Sequence, residues 1–232
     1  MLLGFEHAPQ AQAEPGEMRR QQACVVYMCR PMSRPRALIF DLDGLLIDSE
    51  PTWFVVEGSF LAELGHTWTR QDADSCMGQG TSNTLRIWQQ RFGVKVDIAR
   101  DTERIVDRMI ARAPEMPLKS GARALVSSAR AAGLRLAVAS SSPRRLIEAV
   151  LRAKQLDTSM DAVVSGQEVP RGKPAPDVFL RAAELLGVEP AACVVLEDAL
   201  AGVKAARAAN MRVLAVPTVA ADAIARLATW VT

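Results

Sequence analysis

The sequence predicts an α/β protein, a parallel β-sheet wound with helices and carrying a small helical insert after its first strand. Three observations predict it. Short apolar runs recur along the chain and stop at acids, serine or glycine, as strands buried on both faces do. Stretches with helical spacing lie between the later runs. The segment 51–115 has helical spacing throughout and no convincing strand.

The elements follow in order. Ala37-Leu38-Ile39-Phe40 reads as the first buried strand. Helical spacing then covers Trp53 to Leu64, Gln71 to Cys76, Ser82 to Phe92 and Asp97 to Ala111, and the chain returns at Pro114 and Pro117. This insert leaves and re-enters at the carboxyl end of the first strand, so it is expected to lie over that end as a cap. Open α/β sheets bind ligands there. A helix is expected from Gly121 to Ala132, with Ser120 as N-cap and Gly133 as its stop. The run Leu136 to Ala139 is the second strand. Pro143 to Lys154 reads as a helix with Ser142 as cap and proline in the first turn. Asp161 to Val164 is the third strand, and the helix Pro176 to Leu186 stops at Gly187. Cys193 to Leu196 is the fourth strand, Ala199 to Ala209 a helix stopped by Asn210, and Arg212 to Val216 the fifth strand. Strand and helix alternating through short connections imply right-handed crossovers in one sheet. The expected architecture is therefore a Rossmann-like core from 36–50 and 116–232, with an α-helical cap from 51–115. Residues 1–35 show no sustained periodicity. They are expected to be a disordered extension, or a stretch upstream of true initiation at Met32, and they lack the apolar core of a signal peptide.

Composition narrows the function. The chain has 232 residues, 23% charged and 49% hydrophobic, with a formal charge of +2, which is ordinary for a soluble globular protein. Near-neutral charge offers no field to gather nucleic acid. No apolar run approaches the roughly 18 residues of a membrane span. The four cysteines are scattered and the only histidines are His7 and His66, so a zinc site is not expected. The thiols read as reduced, which suits a cytoplasmic protein.

The chemistry gathers at strand ends. Asp41 and Asp43 follow the first strand, Ser140 the second, Lys173 lies in the loop after the third, and Glu197 and Asp198 follow the fourth. In a parallel sheet these positions converge on one crevice. Asp41 and Asp43 are two apart, so in extended backbone they lean the same way, and Gly44 permits the turn that keeps both out of a helix. An aspartate can attack phosphorus and form an aspartyl-phosphate. Its neighbour can protonate the leaving oxygen and then activate water. Clustered carboxylates repel one another and any phosphate unless a hard cation sits among them, and Mg²⁺ is the natural choice. Lys173 adds a positive point, and the Ser140 hydroxyl with nearby backbone N–H groups adds phosphate donors.

These motifs resemble the haloacid dehalogenase-like hydrolases. The matching runs are Leu38 to Glu50, Val138-Ala139-Ser140-Ser141-Ser142, Gly172-Lys173-Pro174-Ala175-Pro176-Asp177-Val178-Phe179, and Val194 to Gly202. A lone D-x-D-G arises by chance in about one chain in twenty of this length; four motifs in the family's order are far more specific. The resemblance implies Asp41 as nucleophile and Asp43 as acid/base. It implies phosphate binding by Ser140 and Lys173; Ser141 and Gly44, in the same motifs, are expected to join the phosphate or substrate site, and Trp53 either contacts substrate at the cleft mouth or packs in the cap's core. It also implies a Mg²⁺ site of Asp41, Asp198 and the Asp43 main-chain carbonyl, with Glu197 near the metal or its waters. The helical insert is similar to the cap of the β-phosphoglucomutase-like branch. Within it, the runs Asp48 to Trp53 and Met77 to Trp88 look most similar to phosphatases acting on 2-deoxyglucose 6-phosphate and hexitol phosphates. Trp53 stands where β-phosphoglucomutases carry a histidine, and Thr81 where they carry an arginine, which favours water as acceptor.

Other residues have open readings. Ser142 either contacts substrate or caps a helix. Asp48 and Glu50 are expected to fix loop or hinge geometry. Trp68 and Trp88 are expected in the cap's own core, His66 at the surface, and Cys76 as core filler before cleft lining. The expected activity is Mg²⁺-dependent hydrolysis of a small phosphorylated metabolite, a sugar or polyol phosphate, by a monomer that binds neither nucleic acid nor membrane. A phosphomutase is the same-fold alternative, and a catalytically idle phospho-ligand binder is the alternative from another class.

Overall fold

The computed structural model describes residues 34–76, 79–217 and 221–231. The fold below is that of the compact unit Pro35–Thr232. Residues 1–33 of the expected extension, with His7, Cys24 and Cys29, fall outside the described residues, as do Met77 and Gly78.

All strands join one parallel sheet, as the sequence predicts. In chain order these are β1 (Ala37–Phe40), β2 (Arg135–Ser140), β3 (Ala162–Ser165), β4 (Cys193–Glu197), β5 (Arg212–Ala215) and β6 (Trp230–Val231), and their order across the sheet is β3-β2-β1-β4-β5-β6. Between β1 and β2 lie α1 (Glu50–Glu63), α2 (Arg70–Cys76), α3 (Thr81–Phe92), α4 (Ile98–Arg112) and α5 (Ala122–Ala131). After β2 come α6 (Arg144–Ala153), α7 (Asp177–Leu186), α8 (Leu200–Ala208) and α9 (Ala221–Ala225). β1 pairs with β2 on one side and β4 on the other, so the winding reverses at β1. The crevice beyond the carboxyl ends of strands flanking such a reversal is where open α/β sheets bind ligands.

Alternation along β1 sorts the core onto two faces. Leu38 and Phe40 join one buried cluster, Ala37 and Ile39 the other. The first cluster runs on into the helical segment, where Phe60, Trp88, Ile105 and Met109 are buried. Trp88 and Trp68 meet edge to face at 5.3 Å, so both rings belong to the interior of that segment, as expected. His66 is half-buried against Phe92, with ring centroids 5.8 Å apart. Arg145 of α6 pairs with Glu103 and Asp107 of α4, linking the segment to the sheet's own helices.

Two local expectations are corrected, and two short elements were not expected. Ser120 does not cap α5; Gly121 does, with φ 80° and no side-chain bond. That left-handed conformation is one glycine adopts without steric cost. Pro143, not Ser142, occupies the N-cap position of α6. The helix α9 and the two-residue β6 carry no sequence signal. They are too short for periodicity to register, and β6 is held in place by its register against β5, Leu214 opposite Trp230. No helix among the described residues is long and apolar enough to cross a membrane.

Candidate active site

The strand-end residues meet in one cleft lined by Asp41, Asp43, Ser140, Ser141, Ser142, Lys173, Glu197 and Asp198, with Trp53 and other residues of the helical segment completing its wall. Asp41 is the first residue past β1, and its N–H donates to the Leu196 carbonyl at 3.0 Å. It therefore stands across the winding reversal from Glu197 and Asp198. The Lys173 ammonium, on the loop between β3 and α7, bridges that gap. Nζ donates to Asp41 Oδ1 at 2.5 Å and to Glu197 Oε1 at 2.6 Å. The side chains of all three are buried, and Nζ lies 4.9 Å from the Phe179 ring centroid.

Burial pushes the Asp41 carboxyl well above the usual carboxylate range. Lys173 pulls it down, and Glu197, Asp198 and Asp43 push it up again. Burial also opposes the charge on Lys173, yet the Asp41 and Glu197 carboxylates win and hold it protonated above the ordinary lysine range.

Asp43 has a different environment. Ser49 Oγ donates to its Oδ1 at 2.7 Å and Trp53 Nε1 to the same oxygen at 3.3 Å. Ser142 Oγ and Ser140 Oγ donate to Oδ2 at 2.7 and 3.2 Å. Ser49 and Ser142 stand at or beside helix N-termini, where hydroxyls commonly cap. Neither helix has a side-chain cap bond, because both hydroxyls are turned to Asp43. The choice left open for Ser142 is thus resolved against capping. Ser49 was not singled out from the sequence; its place inside the Asp48-Ser49-Glu50 run was the available signal. Ser141 lines the cleft beside these serines, and Cys76 is both buried and part of the lining.

Two glycines are required by packing. Gly44 has φ +79°, and a Cβ there would overlap the Asp198 carboxylate. Asp198 therefore lies directly against the Asp43–Gly44 turn. At Gly202, in the first turn of α8, a Cβ would overlap the Glu197 carboxylate. Glu197 is fully engaged, with Oε2 accepting from the Ala199 N–H at 2.9 Å while Oε1 accepts from Lys173.

Among the described residues, no group of three or more His, Cys, Asp or Glu side chains is gathered to hold a metal ion. The arrangement suits a smaller protein share. Asp198 against the Asp43–Gly44 turn, with Asp41 nearby, offers two carboxylates and main-chain oxygen. Mg²⁺ binds through one or two carboxylates and keeps several waters.

The haloacid dehalogenase-like hydrolase family matches residues 38–216, from β1 to the end of β5. The chain belongs to that family. Two bacterial relatives of this hydrolase are informative. Hexitol phosphatase B of Escherichia coli (strain K12) is 38% identical over 195 residues, covering 80% of this chain and 86% of its own. Fructose-1-phosphate phosphatase YqaB of the same organism is 36% identical over 186 residues, covering 77% and 94%. Among solved structures, CbbY from Rhodobacter sphaeroides in complex with phosphate is similar with a TM-score of 0.73 and 29% identity, covering 79% and 86%.

The hydrolase should not tolerate a methyl group at Gly202. Overpacking costs about 1–3 kcal/mol, against which the better helix propensity of alanine returns up to about 1 kcal/mol. Gly202→Ala is expected to lower the urea midpoint and reduce turnover together, because Glu197 must leave Lys173. Wild-type values for both would show that Glu197 has room the geometry denies it.

Proposed function

We propose that this hydrolase is a Mg²⁺-dependent phosphatase acting on a sugar or polyol monophosphate through an aspartyl-phosphate on Asp41. The observation that carries the reading is the division between two carboxylates only two residues apart. Asp41 is held by a buried ammonium, whereas Asp43 is held by three hydroxyls and an indole. Paired acids in contrasting environments are the usual basis for contrasting roles.

In the first step an Asp41 oxygen attacks phosphorus and the bond to the leaving oxygen breaks. Asp43 gives that oxygen its proton. In the second step Asp43 takes a proton from water, whose oxygen attacks phosphorus and breaks the Asp41–phosphorus linkage. Bound among Asp41, Asp198 and the Asp43 main-chain carbonyl, Mg²⁺ would supply charge neutralisation for the phosphoryl oxygens. Lys173 is positioned to give one phosphate oxygen a positive partner. Glu197, with both oxygens engaged inside the protein, orients Lys173 and stays outside the metal's immediate ligands. The Ser140 and Ser141 region contributes phosphate donors, and the helical segment 51–115 serves as a cap over the cleft that excludes bulk water.

The named activities of the two Escherichia coli relatives support a hexitol or sugar phosphate as substrate. The Trp53 indole donating to Asp43 supports water as acceptor, since no imidazole stands there to handle a second sugar hydroxyl. The decisive assay incubates the purified chain and Mg²⁺ with sorbitol 6-phosphate, fructose 1-phosphate and glucose 1-phosphate. Inorganic phosphate release that EDTA abolishes is expected. Conversion of glucose 1-phosphate to glucose 6-phosphate without phosphate release would establish the phosphomutase instead, and no turnover of any kind would leave a phospho-ligand binder.

A further inference from the structure

The reaction above leaves two acids of the cleft, Glu50 and Glu57, without a task. Glu57 lies on α1 two helical turns beyond Glu50, so both acids, with Trp53 and Phe54 between them, fall on one face. That face lines the cleft. Glu57 is 9% exposed, and among the described residues it makes no hydrogen bond or ion pair. Arg70, the cation that lines this wall among the described residues, lies over the Phe54 ring at 5.0 Å and acts on Glu50. Burial, with Glu50 adding to it, pushes the Glu57 carboxyl up to about 8, so near neutral pH it is mostly an uncharged acid.

A buried polar group with no partner is destabilising. Leucine and glutamate have similar helix propensities, so the helix itself does not require an acid at this position. An uncharged carboxyl both donates and accepts, and that pattern complements an alcohol. The same wall offers little to a leaving group that brings its own negative charge, because its arginine already acts on Glu50.

Resting on the phosphatase reading, we propose that Glu57 is a specificity-determining residue that hydrogen-bonds a hydroxyl of an uncharged polyol leaving group. The substrate class is then a polyhydroxyl monophosphate, in preference to a bisphosphate or a phosphorylated carboxylic acid. Glu57 takes no part in the chemical steps, so a phosphate ester without hydroxyls should not sense its loss.

The test measures kcat/KM with Mg²⁺ for wild type, Glu57→Leu and Glu57→Gln on sorbitol 6-phosphate and p-nitrophenyl phosphate. Fructose 1,6-bisphosphate and 3-phosphoglycerate are added for the wild type. The wild type is expected to favour sorbitol 6-phosphate over both charged competitors by about tenfold or more. Glu57→Leu should lower kcat/KM for sorbitol 6-phosphate by about 10- to 100-fold while p-nitrophenyl phosphate stays within about twofold. Glu57→Gln, which keeps a donor and an acceptor, should retain most of the activity. Equal losses on both substrates in both variants, an unchanged rate on sorbitol 6-phosphate, or a wild-type preference for a charged competitor each overturns the assignment of Glu57. Failure of the wild type to release phosphate from any substrate, p-nitrophenyl phosphate included, overturns the phosphatase reading and this proposal with it.

Discussion

Asp41→Asn is expected to lower kcat for p-nitrophenyl phosphate by at least about 10⁴-fold, since it removes the covalent nucleophile itself. The fold should survive. Asparagine has nearly the same volume, its side-chain oxygen can still accept from Lys173, and the backbone bond from residue 41 to the Leu196 carbonyl is untouched. The substitution also relieves repulsion, because Glu197, Asp198 and Asp43 all act against an anion at this position. Thermal unfolding and far-UV circular dichroism should therefore match wild type while turnover vanishes. Turnover above about one part in a hundred of wild type would exceed what a site without its nucleophile retains, and would exclude the aspartyl-phosphate route.

Lys173→Met is expected to damage stability and activity together. Methionine keeps the aliphatic stem but lacks the ammonium that lies over the Phe179 ring. It leaves two buried carboxylates, Asp41 and Glu197, facing one another without the ammonium that joins them. Removing one partner of a buried ion pair commonly costs about 3–5 kcal/mol. Urea unfolding is best measured in EDTA, so that no bound cation substitutes for the lost charge. A variant as stable as wild type there would mean that Lys173 serves phosphate alone. The contrast with Asp41→Asn is informative: one change removes an anion from an acidic cluster, the other removes the buried cation that joins two of its carboxylates.

Much of the fold is legible because its signals are local. The runs at Leu38 and Val194 are continuous apolar strands, since both faces of a parallel sheet are covered by helices. Gly187 and Asn210 end their helices with φ of 63° and 57°, which the sequence marks by residue type. Ser120 misled because a hydroxyl before a helix is a good cap only when the chain turns suitably, and here Gly121 makes the turn. Trp230 could not be foreseen as a strand residue, because two residues carry no period and the partner strand supplies the order.

The sequence by itself determined which strand-end residues reach the cleft, since acids, serines and lysine just past strand ends must meet where a parallel sheet ends; Ser49 and Glu57, on or beside the first helix, it did not mark. Tertiary structure alone decided what each of them touches. Ser140 and Ser142 lie 97 and 99 positions from Asp43, and Lys173 lies 132 from Asp41. A hydroxyl chooses between capping its own helix and reaching a distant carboxylate by distance and angle, and those are set when β1, β2 and β4 align. Burial is decided the same way. The sequence marks Asp41 by its motif but says nothing of the burial of Asp41 or Glu57, and only the closed interior distinguishes an acid held by an ammonium from one left for a ligand.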